Sequence, residues 1–272
     1  MMDALQALAT HGRGVLVTVG VVEGSGPREP GAWMLVTADG VHGTIGGGRL
    51  EFNAIAQARA ALAGADLPAR RRVALGPSLG QCCGGVVHLH QALVTTADVP
   101  ALRTRLAPAR HPLALFGGGH VGQAIARLCA DLPFALTWID SRDGIFPADV
   151  AAAVTCEHSD PVQAAVPQLA PGSLVLIMSF SHAEDLDVLA ACLQRRRTRA
   201  DLPFVGLIGS KTKWGTFRHR LAERGFTPPE LDAVQCPIGV PGIHGKQPAV
   251  IAVSAVAQLL QALSTIPATS PT

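Results

Sequence analysis

From Gly14 to Val22 the chain is apolar or alternates, with Val15, Val17, Val19 and Val21 on one side, and a period of two over such a run predicts a strand. Ala32 to Val36 and Val41 to Ile45 flank Ala38-Asp39-Gly40, the pattern of a hairpin with a tight glycine turn. After Gly46-Gly47-Gly48 the pattern changes: Arg49 to Ala63 is rich in Ala, Leu, Gln and Arg, holds no Pro or internal Gly, and is closed by Gly64. That stretch predicts a helix with a C-terminal glycine stop. Arg72 to Leu75 and Gly85 to Thr95 return to strand pattern. Residues 1–107 are therefore expected to form a small α+β domain, with Gly80-Gln81-Cys82-Cys83-Gly84-Gly85 in a loop between two strands.

Leu106 to Pro112 carries Pro108 and Pro112, which interrupt any regular element, and a domain boundary is placed there. Beyond it, strand and helix signals alternate. Leu113 to Phe116 reads as a strand, Val121 to Leu132 as a helix, and Phe134 to Ile139 as a second strand ending at Asp140. Leu174 to Met178 and Phe204 to Ile208 follow as strands, with helices over Glu184 to Gln194, Lys213 to Arg224 and Pro248 to Leu263. This alternation predicts a Rossmann-like, doubly wound parallel sheet over residues 108–272. The fold class is α/β, with the α+β domain in front.

Composition narrows the function classes. A net charge of +2 is too small for a nucleic-acid binder, and 4% aromatic residues leave few platforms for stacking bases. The first residues lack the basic-then-apolar order of an export leader, and no run of about 18 apolar residues reads as a membrane span. A cytoplasmic location, with neither nucleic acid nor membrane as partner, is the expectation. The six cysteines are scattered except for Cys82-Cys83, which matches neither a disulfide framework nor a zinc spacing. The chain has no tyrosine, so the Tyr general acid of one large class of nicotinamide dehydrogenases is missing. Arg70-Arg71-Arg72 and Arg195-Arg196-Arg197-Thr198-Arg199 read either as anion patches or, as is usual for such runs, as solvated helix ends or loops.

Several motifs carry candidate chemistry. Adjacent cysteines rarely bond to each other, because a trans peptide sets their Cα atoms about 3.8 Å apart, closer than a disulfide prefers. At least one thiol of Cys82-Cys83 is therefore available, with flanking glycines that let a bulky partner approach; two buried small hydrophobes are the alternative. Gly117-Gly118-Gly119-His120-Val121-Gly122 fits the G-x-G-x-x-G pattern between a predicted strand and a predicted helix. In that motif Gly117 permits the tight turn, Gly119 lets backbone amides approach a phosphate and Gly122 allows close helix packing. Asp140 stands where a ribose-binding carboxylate belongs, while Arg142 would favour a 2′-phosphate, so NAD and NADP both remain open. Gly46-Gly47-Gly48 is a second possible anion-binding concavity, ahead of a helix. Lys211, at a strand end, and Lys246, in the Gly239 to Lys246 loop, are further candidates for binding a phosphate or carboxylate.

Taken together, these segments resemble the XdhC/CoxI family, accessory proteins of xanthine dehydrogenase and related molybdenum hydroxylases, and within it the XdhC branch. The resemblance covers nearly the whole chain. It is carried by Gly26-Pro27-Arg28 with Pro30-Gly31-Ala32, by Gly43 to Glu51, by Leu79 to Gly85, by Phe116 to Gly122, by Ile139 to Arg142, by Ile208 to Lys211 and by Gly239 to Lys246. It implies a non-enzymatic chaperone that binds the molybdenum cofactor, a molybdopterin with a terminal phosphate. Such a protein holds the cofactor while a cysteine desulfurase sulfurates it, and then inserts it into apo xanthine dehydrogenase. It also implies a homodimer, and a cysteine that matters for cofactor binding. Cys82 or Cys83 matches that position, with Cys82 the expected metal ligand. Other members carry Cys where this chain has Arg49, which leaves only the Cys82-Cys83 loop to supply a thiol there. Gly46, Gly47, Gly48, Gly117, Gly119, Gly122, Asp140, Lys211 and Lys246 complete the expected cofactor-binding set. The alternative is an NAD(P)-dependent oxidoreductase built on the Gly117–Gly122 loop.

Overall fold

A computed structural model of the chain describes residues 1–76, 84–151 and 154–265. The chain divides into two compact units, Met1–Pro108 and Ala109–Thr272.

The first unit is an antiparallel sheet with helices on both faces. It opens with α1 (Met2–His11), which Gly12 ends in the left-handed conformation. Then come β1 (Arg13–Glu23), β2 (Trp33–Val36), β3 (Val41–Gly43), α2 (Gly48–Leu62), β4 (Arg70–Ala74), β5 (Val86–Thr95) and α3 (Val99–Arg105). The strands lie in the order β3-β2-β1-β5-β4. Val15, Val17, Val19, Val87 and Leu89 point to one face, where Leu50, Ala54, Ala58 and Ala61 of α2 cover them. Leu16, Leu35 and Val94 point the other way and pack under Leu5 and Leu8 of α1 and Leu102 and Leu106 at the end of α3. Alternation along β1 thus feeds two cores at once.

Arg70-Arg71-Arg72 corrects the expectation for such a run. These residues are the start of β4, an edge strand, rather than a helix end or loop. Charged side chains on an edge strand discourage pairing with another chain, which accounts for basic residues there.

The second unit contains β6 (His111–Phe116), α4 (His120–Cys129), β7 (Phe134–Asp140), the short α5 (Ala148–Ala151), β8 (Thr155–His158) and β9 (Leu174–Ile177). It continues through α6 (His182–Arg199), β10 (Phe204–Leu207), α7 (Lys211–Glu223), α8 (Pro228–Asp232) and α9 (Pro248–Thr265). All five strands are parallel, in the order β10-β9-β6-β7-β8, which is the doubly wound arrangement. Leu113, Leu115, Leu136, Trp138, Leu174 and Leu176 pack against α4 and α9. Ala114, Phe116, Ile139, Val175, Ile177 and Val205 face α6 and α7. The strand order reverses between β6 and β9, so the crevice beyond their carboxyl ends is where this architecture binds ligands.

By length and a mean hydropathy of 1.5, α9 is the described helix that reaches the range of a membrane span. In this fold Ala252, Ala255, Val256 and Leu259 of α9 are buried in the core beside α4.

The second arginine run is spent on internal contacts. Arg195 is 6% exposed and grips both carboxylate oxygens of Asp201, at 2.9 and 2.6 Å, and the Val166 carbonyl at 2.7 Å. Arg196 donates to the Leu202 and Ala233 carbonyls, and Arg197 pairs with Glu230. The run is a clamp at the C-terminus of α6, where cations also complement the helix dipole. Arg195→Leu should therefore cost about 3 kcal/mol in urea unfolding at neutral pH, because it strands a buried carbonyl and a carboxylate. Arg199→Ala, at an exposed position, should stay within about 0.5 kcal/mol of wild type.

Candidate functional site

The switch-point crevice is built on the turn from β6 into α4. Gly117 has φ +122°, and a Cβ there would strike the Met178 carbonyl oxygen, so a side chain is excluded on both counts. A Cβ on Gly122 would strike the Gly117 carbonyl oxygen, the close approach that seats α4 on the loop. Gly119 differs: its φ is −70° and a Cβ would meet nothing within 4 Å. The loop is pinned from below, since the Gly117 N–H donates to the Ile139 carbonyl at 2.8 Å and Trp138 Nε1 donates to the Gly117 carbonyl at 2.9 Å.

Asp140, at the end of β7, is 1% exposed. Its Oδ2 accepts the Gly118 N–H at 2.6 Å and Arg142 Nη2 at 2.9 Å. Its Oδ1 accepts the Arg142 N–H at 2.8 Å and Arg142 Nε at 2.9 Å. Burial pushes this carboxyl up, but the Arg142 side chain, the amides of Arg142 and Gly118 and the Arg142 charge outweigh it, holding the group below the ordinary 3.8. The carboxylate expected to meet a ribose is thus saturated by donors from its own chain. The Arg142 guanidinium also lies 4.5 Å from the centroid of the Phe180 ring, which is 65% exposed just beyond β9. Glu184 closes the group, accepting from Ser141 Oγ at 2.6 Å and from the Phe180 N–H at 3.0 Å.

The helix N-termini around this crevice differ. Ser181 Oγ accepts the Glu184 N–H to cap α6, and Ser210 Oγ accepts the Lys213 N–H to cap α7. Among the described residues the α4 terminus has Gly119 at the cap position and no side-chain cap, an open helix start of the kind that suits an anion. At the starts of α6 and α7, Lys213 Nζ forms a buried pair with Asp185 at 2.6 Å, and Asp185 also accepts the Ser179 N–H at 2.7 Å.

In the first unit, Gly46, Gly47 and Gly48 have φ of +120°, +73° and +61°, a run open only to glycine. The concavity they shape is filled by Glu51, whose Oε2 accepts Thr44 Oγ1 at 2.5 Å, the Ile45 N–H at 2.9 Å and the Gly47 N–H at 3.2 Å. Burial raises the Glu51 pKa, but those donors prevail and the group sits below its ordinary value.

The structure thus brings Gly117, Gly119, Gly122 and Asp140 together with Arg142. Lys211, at the start of α7, and Lys246, in the loop before α9, are both exposed. Cys82 and Cys83 lie outside the described residues. Burial disfavours the free thiolate at the described cysteines: it pushes Cys129 and Cys192 up to about 12 and Cys236 up to about 11, and it raises Cys156 as well. Among the described residues no cluster of three or more His, Cys, Asp or Glu side chains could hold a metal ion. The sequence reading missed Phe180 and Glu184. An aromatic residue directly after a buried strand end was the available signal.

Two family models match the chain, one described as the XdhC Rossmann domain over residues 113–259 and one as the XdhC and CoxI family over residues 7–72. The chain belongs to the XdhC/CoxI family. It is 30% identical over 251 residues to the uncharacterized protein YqeB of Escherichia coli (strain K12), a match covering 90% of this chain and 42% of that protein. The chain therefore spans less than half the length of that relative. A crystal structure from Bacillus halodurans, described as a xanthine dehydrogenase, matches with a TM-score of 0.78 at 21% identity, over 99% of this chain and 98% of the other. That likeness establishes the shared fold.

Two outcomes follow from the loop. Gly117→Ala should lose at least about 2 kcal/mol in thermal or urea unfolding, while Gly119→Ala should stay within about 0.5 kcal/mol, so a binding defect in the latter reports on a ligand. Asp140→Asn should cost about 2 kcal/mol at neutral pH, the worth of a charge-assisted hydrogen bond. Because the folded pKa lies below the unfolded one, that gap is complete above 3.8 and should close as pH falls through the lowered value, as urea midpoints from about pH 7 to about pH 2 will show.

Proposed function

We propose that this protein is an accessory factor for molybdenum hydroxylases, which binds the molybdenum cofactor, holds it for sulfuration by a cysteine desulfurase and passes it to apo xanthine dehydrogenase. The observation that carries this reading is family membership, with models matching in both units. The residues present fit the group in part. The open amide end of α4, with the exposed Lys211 and Lys246, is of a kind that suits a terminal phosphate. A soft ligand for the metal falls to Cys82 or Cys83, since the described cysteines are held as thiols by burial. When bound, the cofactor supplies the molybdenum whose terminal ligand is exchanged. In this reading the chain binds and shields it and is not itself an enzyme; it acts in the cytoplasm and as a homodimer.

A second reading, an NAD(P)-dependent oxidoreductase, draws on the same open helix end and on the β6–α4 glycine loop. One preparation separates the two. Protein isolated without oxygen from molybdate-replete cells should release molybdopterin on denaturation, detected by mass spectrometry, and Cys82→Ala, Cys83→Ala or the double variant should retain at least about tenfold less. Unchanged retention in all three variants removes the thiol role. Tight NAD(P) binding with substrate-dependent hydride transfer, and no molybdopterin, replaces the chaperone reading with the second.

A further inference from the structure

The first unit holds a cavity of about 540 Å³ that the cofactor reading does not use. It arises from a mismatch of lengths. β1 has 11 residues and spans about 36 Å, whereas α1 has 10 and spans about 15 Å, so the helices over Leu16, Leu35 and Val94 leave the rest of that sheet face uncovered. Leu106 and Arg105 at the end of α3 and Arg70 of the edge strand β4 line the cavity. Leu16, Thr18, Gly20, His90 and Ala92 lie on that face by strand alternation, with Thr18 opposite His90 and Leu16 opposite Ala92. The His90 imidazole lies against the Gly20 backbone, where a Cβ would come within 2.6 Å of His90 Nε2.

The charge of this cavity has one sign. Its lining contains Arg70, Arg105 and His90 and no Asp or Glu. Among the described residues neither guanidinium joins an ion pair. This sets Arg70 and Arg105 apart from the α6 arginines, whose donors are consumed internally. Two unpaired guanidinium groups over an apolar floor of Leu16, Ala92 and Leu106 suit a ligand with a negative head and a flat apolar body. The volume falls inside the roughly 300–1,000 Å³ range of small-molecule sites. The geometry points to a binding site for a small organic anion, a carboxylate or phosphate monoester on an aromatic or similarly flat body, held by Arg70 and Arg105. The site shares no residue with the β6–α4 loop and does not rest on the cofactor reading.

Calorimetric titration of the full chain with 2-naphthyl phosphate, 2-naphthoate, neutral 2-naphthol and inorganic phosphate tests it. One or both aryl anions should saturate at one per chain, with 2-naphthol and inorganic phosphate each at least about tenfold weaker. Which aryl anion binds tighter assigns the head group. The Arg70→Gln/Arg105→Gln double variant should lose at least about tenfold for the anions and leave 2-naphthol unchanged. Ala92→Phe should block all three aryl probes; these positions are exposed, so the fold is expected to persist and circular dichroism checks it. Absence of saturable anion binding, undiminished binding by either variant, or inorganic phosphate binding as tightly as the aryl anions overturns the proposal.

Discussion

The Asp140 carboxylate holds the second unit's crevice together. Four donors converge on it, one from the glycine loop and three from Arg142, and it is buried at the end of β7. A buried carboxylate without partners would be expelled or protonated, so its environment must supply donors, and the first available are the amides that the loop turns inward. The position of Gly118, the orientation of Arg142 and the contact of Arg142 with Phe180 all follow from satisfying this one group. Glu51 solves the same problem in the first unit, where glycines with positive φ aim amides that its Oε2 accepts. In the first unit the concavity expected to receive an external anion thus already contains one belonging to the chain, and in the second the carboxylate expected to meet a ribose is already satisfied.

What the chain leaves open is more informative than what it fills. Ser181 and Ser210 close α6 and α7, whereas among the described residues no side chain caps α4, which begins at Gly119. Within the glycine motif the three positions also divide. Gly117 and Gly122 are required by the packing of the loop against Met178 and against itself. Packing explains those two without any ligand. Among the described residues only Gly119 of the three faces open space, so the packing that requires Gly117 and Gly122 does not require it.

Much of this was legible in the sequence. The parallel sheet and four of its five strands followed from alternating apolar runs and helical stretches, and the ends of those strands fell within a few residues of their predicted places. The misses have physical causes. Helix α6 runs through Arg199, past its expected end at Gln194, because Asp201, Glu230 and several carbonyls absorb the arginines, partners that sequence order does not reveal. Strand β8 is a four-residue edge with mixed burial, too short for periodicity to register. Helix α1 did carry a signal, Leu5 and Leu8 one turn apart with Gly12 as a stop, and needed the sheet beneath it to stand out. At the site, the glycine spacing and Asp140 were readable, but the saturation of Asp140 by Arg142 was not. Spacing gives proximity along the chain and says nothing of which donors a carboxylate selects.

The thiols show how burial partitions chemistry. A thiolate needs solvation or a nearby cation, and the described cysteines have too little of either. Cys192 sits wholly buried on α6, and burial drives its pKa up to about 12 although Arg195 and Arg196 pull the other way. Burial likewise pushes Cys236 up, Lys213 pulls it down and Asp185, which holds that ammonium, pushes it up again, to about 11. The buried Cys129 and Cys192 pack as small core hydrophobes. The Rossmann unit thus offers backbone amides at the start of α4, while burial raises the pKa of the thiols it contains.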